Sequence, residues 1–458
     1  MREGNPKVPH TELCRKMLSP QNLGIAVQNV KRNKGAAGVD GVGIDEIDEY
    51  MKDNWTRIEE QILARKYRPK PVRRKEIPKD NGGVRLLGIP CVIDRVIQQA
   101  MVQVLQPVFE PEFSDYSYGF RPGRSAEDAV RKAQEYMAEG YRHVVDLDLS
   151  KFFDTVNHDL MLTLIDARMG DKDVRRLIFE YLKCGVMSDG SFTATETGTP
   201  QGGPLSPLLS NIYLTPYDLK LEERGLRFVR YADDCNIFTK SGYASRRVKA
   251  SAIRFLENRL KLKVNMDKTE ARRAVGSSFL GFLFITTRRQ KNGDLGKCKP
   301  KPKKLEKFKK TLKDMTQRNC GRNIHSIVRE INAYLRGWMN YYARSSLKVY
   351  IGEIASWLRR RLRQILWKQW KTGKNRKHQL RLLGVNEIRI STLTGAGSNS
   401  YWKMAKVLGR YISNDMLERA YGLIPIEETW KELHARRMMM DRRSRTSDEQ
   451  LLLGLEYD

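Results

Sequence analysis

The chain has 458 residues, with 84 Lys and Arg against 54 Asp and Glu and a formal net charge of +30 at pH 7. Its length exceeds one typical hydrophobic core, so two or three domains are expected, and 40% apolar residues suffice to fill them. So large a positive charge repels itself in a compact state unless a polyanion is bound, which favours nucleic acid as partner, with a membrane surface as the competing polyanion.

The N-terminal run Met1-Arg2-Glu3-Gly4-Asn5-Pro6 lacks the apolar core of a signal peptide, and no stretch approaches the roughly 20 apolar residues of a spanning helix. Residues 1–70 read as helical, broken by a loop at Lys34-Gly35-Ala36-Ala37-Gly38-Val39-Asp40-Gly41. Its glycines suit an element that touches a backbone, or an ordinary interhelical loop. Two strands follow, Lys75-Glu76-Ile77 and Val84-Arg85-Leu86-Leu87, joined by a turn at Lys79-Asp80-Asn81-Gly82-Gly83. Val92, Ile93, Val96, Ile97, Ala100, Met101, Val104 and Leu105 recur at helical spacing. Residues 144–240 mix strands and helices around acidic motifs. A helix is expected over Ile253-Arg254-Phe255-Leu256 to Leu262, and Lys263-Val264-Asn265 then enters a strand.

Near 296 the composition changes. Residues 297–310 hold eight lysines, one acid and two prolines, a linker running into a helix. Residues 323–370 are helical and aromatic, and 359–381 carry ten Lys or Arg and no acid. A last segment, 382–458, carries Trp402 and Trp430. The six cysteines (Cys14, Cys91, Cys184, Cys235, Cys298, Cys320) are scattered without a Cys-x-x-Cys pair, against a disulfide framework or a zinc module and in keeping with a reducing cytoplasm.

The chemistry concentrates in two acidic clusters on apolar runs. Arg230-Tyr231-Ala232-Asp233-Asp234 lies between Phe228-Val229 and Cys235-Asn236-Ile237-Phe238, and Asp146-Leu147-Asp148 follows Val144-Val145. Asp is common in surface turns. Adjacent carboxylates between strands nevertheless carry a burial cost that a divalent cation would relieve. Asp148 and Asp233 on neighbouring strands could hold two Mg²⁺ ions, and no His or Cys set offers a softer site. Asp146 would share a strand face with Asp148, as a third ligand or a strand-end charge.

Residues 142–158, Thr199-Pro200-Gln201-Gly202-Gly203-Pro204-Leu205-Ser206-Pro207, Tyr231-Ala232-Asp233-Asp234 and Phe279-Leu280-Gly281-Phe282 resemble, in order and spacing, the palm motifs of reverse transcriptases. Together with the loop 34–41, Arg85-Leu86-Leu87-Gly88-Ile89-Pro90 and Tyr118-Gly119-Phe120-Arg121-Pro122-Gly123-Arg124-Ser125, they are similar to the reverse transcriptase/maturase proteins of group II introns. The resemblance implies an α/β (α+β) right-hand polymerase: fingers and palm over 1–295, a helical thumb or maturase (X) domain over 296–381, and a small DNA-binding segment over 382–458. It implies RNA-directed DNA synthesis in a bacterial cytoplasm, with two Mg²⁺ ions (Mn²⁺ substituting), dNTP, RNA template, intron RNA and a DNA primer or target, and no membrane. A homodimer is left open.

By the same resemblance, Asp148, Asp233 and Asp234 are the catalytic and metal-binding carboxylates, Asp234 the less direct, and the Leu149 carbonyl is a further ligand. Phe153 is the position that blocks a nucleotide 2′-hydroxyl; Phe152 is expected in the core. Lys79 and Arg85 match positions that grip the triphosphate, Gln201 one that packs against the nucleotide, and Lys268 a proton donor to pyrophosphate. Phe279, Leu280 and Gly281 match the primer grip. His158 is read as capping or packing locally.

The basic segment 297–381 reads as a nucleic-acid surface on charge alone. Tyr334, Trp338, Tyr341 and Tyr342 have helix-core spacing, so base stacking by any one of them does not follow. No Cys follows Cys320, and beyond residue 330 the only histidines are His378 and His434, so the endonuclease module of many relatives is not expected. Such a protein would take its primer from elsewhere. The alternatives are a free-standing reverse transcriptase recruited to defence or repair, and a splicing cofactor only.

Overall fold

The computed structural model describes residues 12–78, 84–188, 191–193, 198, 202–286, 288, 295–319, 321–395 and 401–454. The strands are β1 Val72–Pro78, β2 Val84–Ile89, β3 His143–Leu147, β4 Val186–Ser188, β5 Ser191–Thr193, β6 Arg227–Tyr231, β7 Asp234–Thr239, β8 Glu270–Arg273, β9 Ser278–Phe279, β10 Phe282–Phe284 and β11 Cys298–Pro300. The chain divides into two compact units, 1–274 and 275–458.

The first unit holds two four-stranded sheets, in the orders β2-β1-β4-β5 and β6-β7-β3-β8. In the second of these, β3 lies between β7 and β8 and is antiparallel to both. Val144, Val145 and Leu147 are buried while His143 and Asp146 are partly exposed, so β3 alternates only in part, as a central strand does. The helix Val92–Phe109 is apolar around most of its surface and buries Val96, Ile97, Met101 and Leu105. The helix Ala126–Ala138 begins with a capping box, in which Ser125 Oγ accepts from Asp128 N and Asp128 Oδ2 accepts from Ser125 N. The helix Ser206–Glu223 is buried on several sides and carries the polar Asn211 and Asp218 into the interior.

The helices at Pro20–Asn33 and Val92–Phe109 and the strands flanking residues 79–83 follow the expected pattern; the turn itself lies outside the described residues. The strand expected at 263–265 is reduced to a single bridge, Leu149 with Val264. Ser150 N donates to Lys263 O and Asn265 N to Asp148 O, so this segment pairs only with the short stretch beyond β3 before the chain turns into β8.

Asp94, 1% exposed on the helix Val92–Phe109, accepts on Oδ1 from Tyr67 Oη at 2.7 Å and Tyr181 Oη at 3.2 Å. Burial pushes its carboxyl up to about 6, against the downward pull of the two hydroxyls. A carboxyl raised above its unfolded value of about 3.9 binds its proton more tightly in the folded protein. Its contribution is therefore full below pH ~4 and is lost as the pH rises through about 6. Asp94→Asn is expected to gain stability relative to the parent across that window, by on the order of 3 kcal/mol at neutral pH. Urea midpoints from pH 4 to 7.5 measure the difference, and a pH-independent difference would contradict it.

The second unit has a three-stranded sheet, β11-β10-β9, and the helices Pro302–Met315, Ile324–Tyr341 and Lys348–Gln369, with shorter helices after them. The lysine-rich stretch expected as linker contains β11 and then the first of these helices. Phe308 stacks on Trp338 at 3.9 Å between centroids and lies 5.7 Å from Tyr334, placing both rings against the helical core.

Candidate active site

The Asp-Asp pair sits on a two-residue hairpin. Tyr231 pairs with Asp234, leaving Ala232 and Asp233 as the loop, and Ala232 adopts φ +56°. A hairpin with positive φ at its first central residue ordinarily has glycine there. An alanine held left-handed costs about 1 kcal/mol or more, so its surroundings must impose it. Leu147 on β3 pairs with Cys235 on β7, and carrying that register one residue further sets Asp148 across from Asp234. Neighbouring strands are ~5 Å apart, which gathers Asp148 and the hairpin carboxylates at one end of the sheet.

Asp148 is half-buried. Its Oδ2 accepts from Asn265 Nδ2 at 2.9 Å and from Lys268 Nζ at 3.3 Å, and its backbone N donates to Thr269 Oγ1 at 3.2 Å. Asp233 is half-buried and Asp234 exposed. Leu149 is buried and held by its bridge to Val264. In kind, these donors fit a hard divalent cation: all are oxygens, no His or Cys stands among them, and a cationic ammonium already faces Asp148 Oδ2. Among the described residues, no three His, Cys, Asp or Glu side chains form a ready-made metal cluster.

A cavity of about 680 Å³ opens in the same unit, lined by Lys34, Gly88, Arg95, Phe153 and Gly203 among others. Phe152 is 2% exposed and packs edge-on against Phe153 at 5.1 Å, so the first ring is core and the second lines the cavity. Lys34, Gly35 and Ala36 of the loop belong to this wall. Arg95 holds it by donating to the Ala36 carbonyl and, through Nε, to the Pro90 carbonyl at 3.1 Å.

Three contacts went unforeseen in the sequence. His158 Nε2 meets the Gly198 carbonyl at 2.6 Å, so it reaches a residue 40 positions along the chain rather than capping or packing locally. Gly198, at φ +93°, sits where a Cβ would come within 2.6 Å of the Phe153 carbonyl. Gly119 lies so close to the hairpin that a Cβ would fall 2.3 Å from Ala232 N. The third is Arg230, 1% exposed, whose guanidinium grips the fully buried Asp218 at 2.6 to 3.0 Å. An arginine following the apolar Phe228-Val229 was the available signal, since a buried cation needs a partner. Removing one member alone would leave an uncompensated buried charge, a cost of about 3–5 kcal/mol.

Lys79 and Gln201 lie outside the described residues. Of Arg85 only its strand position is described: it pairs with Ile77 in the β1–β2 hairpin. In the second unit, Phe279 pairs with Phe282, and the two-residue loop Leu280-Gly281 has φ +50° and +86°, the I′ pattern of tight hairpins. The Leu280 carbonyl accepts from Tyr341 Oη at 2.9 Å.

Residues 77–284 match the reverse transcriptase (RNA-dependent DNA polymerase) family, and residues 305–383 match the group II intron maturase-specific domain. The chain is 33% identical to Protein YkfC of Escherichia coli (strain K12) over 325 residues, covering 62% of this chain and 85% of that protein. The chain belongs to the group II intron reverse transcriptase/maturase family. This reverse transcriptase is also 37% identical to the group II intron-encoded protein LtrA of Lactococcus lactis subsp. cremoris over 221 residues, covering 48% of this chain and 37% of that one. It is 28% identical to the putative COX1/OXI3 intron 2 protein of Saccharomyces cerevisiae over 284 residues, covering 60% and 32%. It thus spans about a third of the length of these two intron proteins. Its mixed helices and mainly antiparallel sheets are those of the right-hand polymerase class, and RNA-directed DNA synthesis is the activity of that catalytic domain. Among the described residues, no helix is long and apolar enough to cross a membrane.

In the maturase-matching unit, much of the basic run is spent inside the protein. Arg359 pairs with Glu427, Arg360 lies 3.9 Å over the Trp402 ring, Arg361 donates to Thr316 Oγ1 at 2.6 Å, and Arg363 donates to the Ile412 carbonyl at 2.7 Å. Four arginines of the expected nucleic-acid surface therefore tie the long helix to other segments, Arg361 to the end of the earlier helix Pro302–Met315 and the other three to segments that follow. Charge counting overstates what that helix offers to phosphate.

Proposed function

We propose that this reverse transcriptase copies its intron RNA into cDNA with two Mg²⁺ ions held by Asp148 and Asp233, Asp234 supporting them, and also binds the intron RNA to assist splicing and retrohoming. The observation that carries the reading is the β6-β7-β3 register, which sets Asp148 beside the Asp233-Asp234 hairpin in a chain matching both family domains. The bound ions would activate the primer 3′-hydroxyl and neutralise charge on the departing pyrophosphate.

The chain's own groups orient and select. Asn265 and Thr269 hold Asp148 in place from its side chain and backbone. Phe153 closes one wall of the cavity under the sugar of a dNTP and excludes a 2′-oxygen. Lys79 and Arg85 take the triphosphate, Gln201 packs against the nucleotide, and the Leu149 carbonyl completes the oxygen set. Lys268, whose ammonium lies 3.3 Å from Asp148 Oδ2, gives a proton to the pyrophosphate oxygen. Residues 279–281 grip the primer, residues 1–295 form fingers and palm, 296–381 the maturase domain and 382–458 the DNA-binding segment, in a bacterial cytoplasm.

Primer extension on poly(rA)/oligo(dT) tests the polymerase, with Mg²⁺-dependent incorporation expected. No incorporation with either Mg²⁺ or Mn²⁺ would sink it. The splicing partner is tested by recovering group II intron RNA with the tagged protein.

A further inference from the structure

We propose that Arg230 is a positioning residue for nucleotidyl transfer, setting the Ala232 peptide that delivers Asp233. This rests on the reading of Asp233 as a catalytic carboxylate. The Arg230 fork does more than neutralise Asp218. Nε and Nη2 bind Asp218, while Nη1 donates to the Ala232 carbonyl at 2.9 Å and to Asn211 Oδ1 at 3.1 Å. Asn211 and Asp218 are seven residues apart on the helix Ser206–Glu223, hence on one face, and both are 0% exposed.

Asn211 Nδ2 in turn donates to the Gly119 carbonyl at 2.9 Å, and Gly119 is the residue pressed against Ala232 N. The backbone of Arg230 is held as well, its N donating to Tyr116 O at 2.9 Å and its O accepting from Tyr118 N at 2.8 Å. The left-handed Ala232 is thus clamped from both sides of its peptide. An ion pair alone explains none of this. Buried pairs are often replaceable by apolar residues of similar volume without loss of stability, and a lysine could neutralise Asp218. Only a planar fork reaches the carboxylate and the turn carbonyl together.

The test uses the full chain on poly(rA)/oligo(dT) with dTTP and Mg²⁺. The double variant Arg230→Met, Asp218→Leu removes both buried charges and keeps the volume. Its KM values are expected to stay near the parent's, with a modest fall in thermal midpoint from the unpaired Ala232 and Asn211 oxygens, while kcat falls about 100-fold, the effect a displacement of about 1 Å in a reacting group can have. A folded double variant with kcat within about threefold of the parent would overturn the proposal. Should the double variant not fold, Arg230→Lys decides. It keeps the charge pair but gives up the fork, so the same kcat loss at unchanged KM upholds the role, and full kcat overturns it. Asp233→Asn runs alongside. If that variant polymerises, the reading of the catalytic carboxylate fails, whatever Arg230 does.

Discussion

Asp233→Asn is expected to abolish primer extension, by about a thousandfold or more, while RNA affinity changes little. The substitution keeps the shape of a half-buried loop residue on the β6–β7 hairpin and removes only its charge. A cation facing a neutral amide loses most of its Coulomb attraction at that position, and about 4 kcal/mol lost from the transition state is a thousandfold in rate. RNA affinity is carried by phosphate contacts spread over a chain with net charge +30, so one carboxamide should barely move it. Primer extension and filter binding at matched salt read the two quantities separately. The stronger double change, Asp233→Ala with Asp234→Ala, should give the same split. Loss of synthesis and RNA binding together would instead indicate that the hairpin substitutions unfold the sheet.

Phe153→Val should admit ribonucleotides, raising the ratio of rNTP to dNTP incorporation about 10- to 100-fold. The Phe153 ring lines the 680 Å³ cavity and is braced edge-on by the buried Phe152. A braced ring cannot yield to one extra oxygen, and trimming it removes the clash. Discrimination by apolar shape alone is worth roughly 1–3 kcal/mol, which sets that range. Phe152→Val offers the contrast: it should open a core cavity, lower stability by a few kcal/mol and, by loosening the brace, shift the sugar ratio less than Phe153→Val does. Competition between dTTP and UTP on one template measures both variants. An unchanged ratio in Phe153→Val would remove the residue from sugar selection.

Much of the catalytic sheet was legible in the sequence because its signals are local. Val144-Val145 and the run from Phe228 to Phe238 are apolar, and the acids that interrupt them have a cost only a partner could offset. The Trp338 and Tyr334 spacings likewise announced a helix core, where both now stack on Phe308. Less was legible where one residue serves a distant segment. The reach of Arg230 to Asp218 and to the Ala232 carbonyl, and of His158 to Gly198, follows from backbone positions set by other strands and helices. The basic run at 359–363 misled for the same reason: its acceptors, Glu427 and the Ile412 carbonyl, lie about fifty or more residues downstream.

The sequence by itself determined most of the elements, the candidate reactive residue types and the family, because hydrophobic period, turn chemistry and motif spacing are properties of short stretches. Only the tertiary structure decided which acids share one sheet end, which glycine must lack a Cβ against Ala232, and which arginines are spent inside. Those are consequences of strand register and helix packing, which no short window of residues contains.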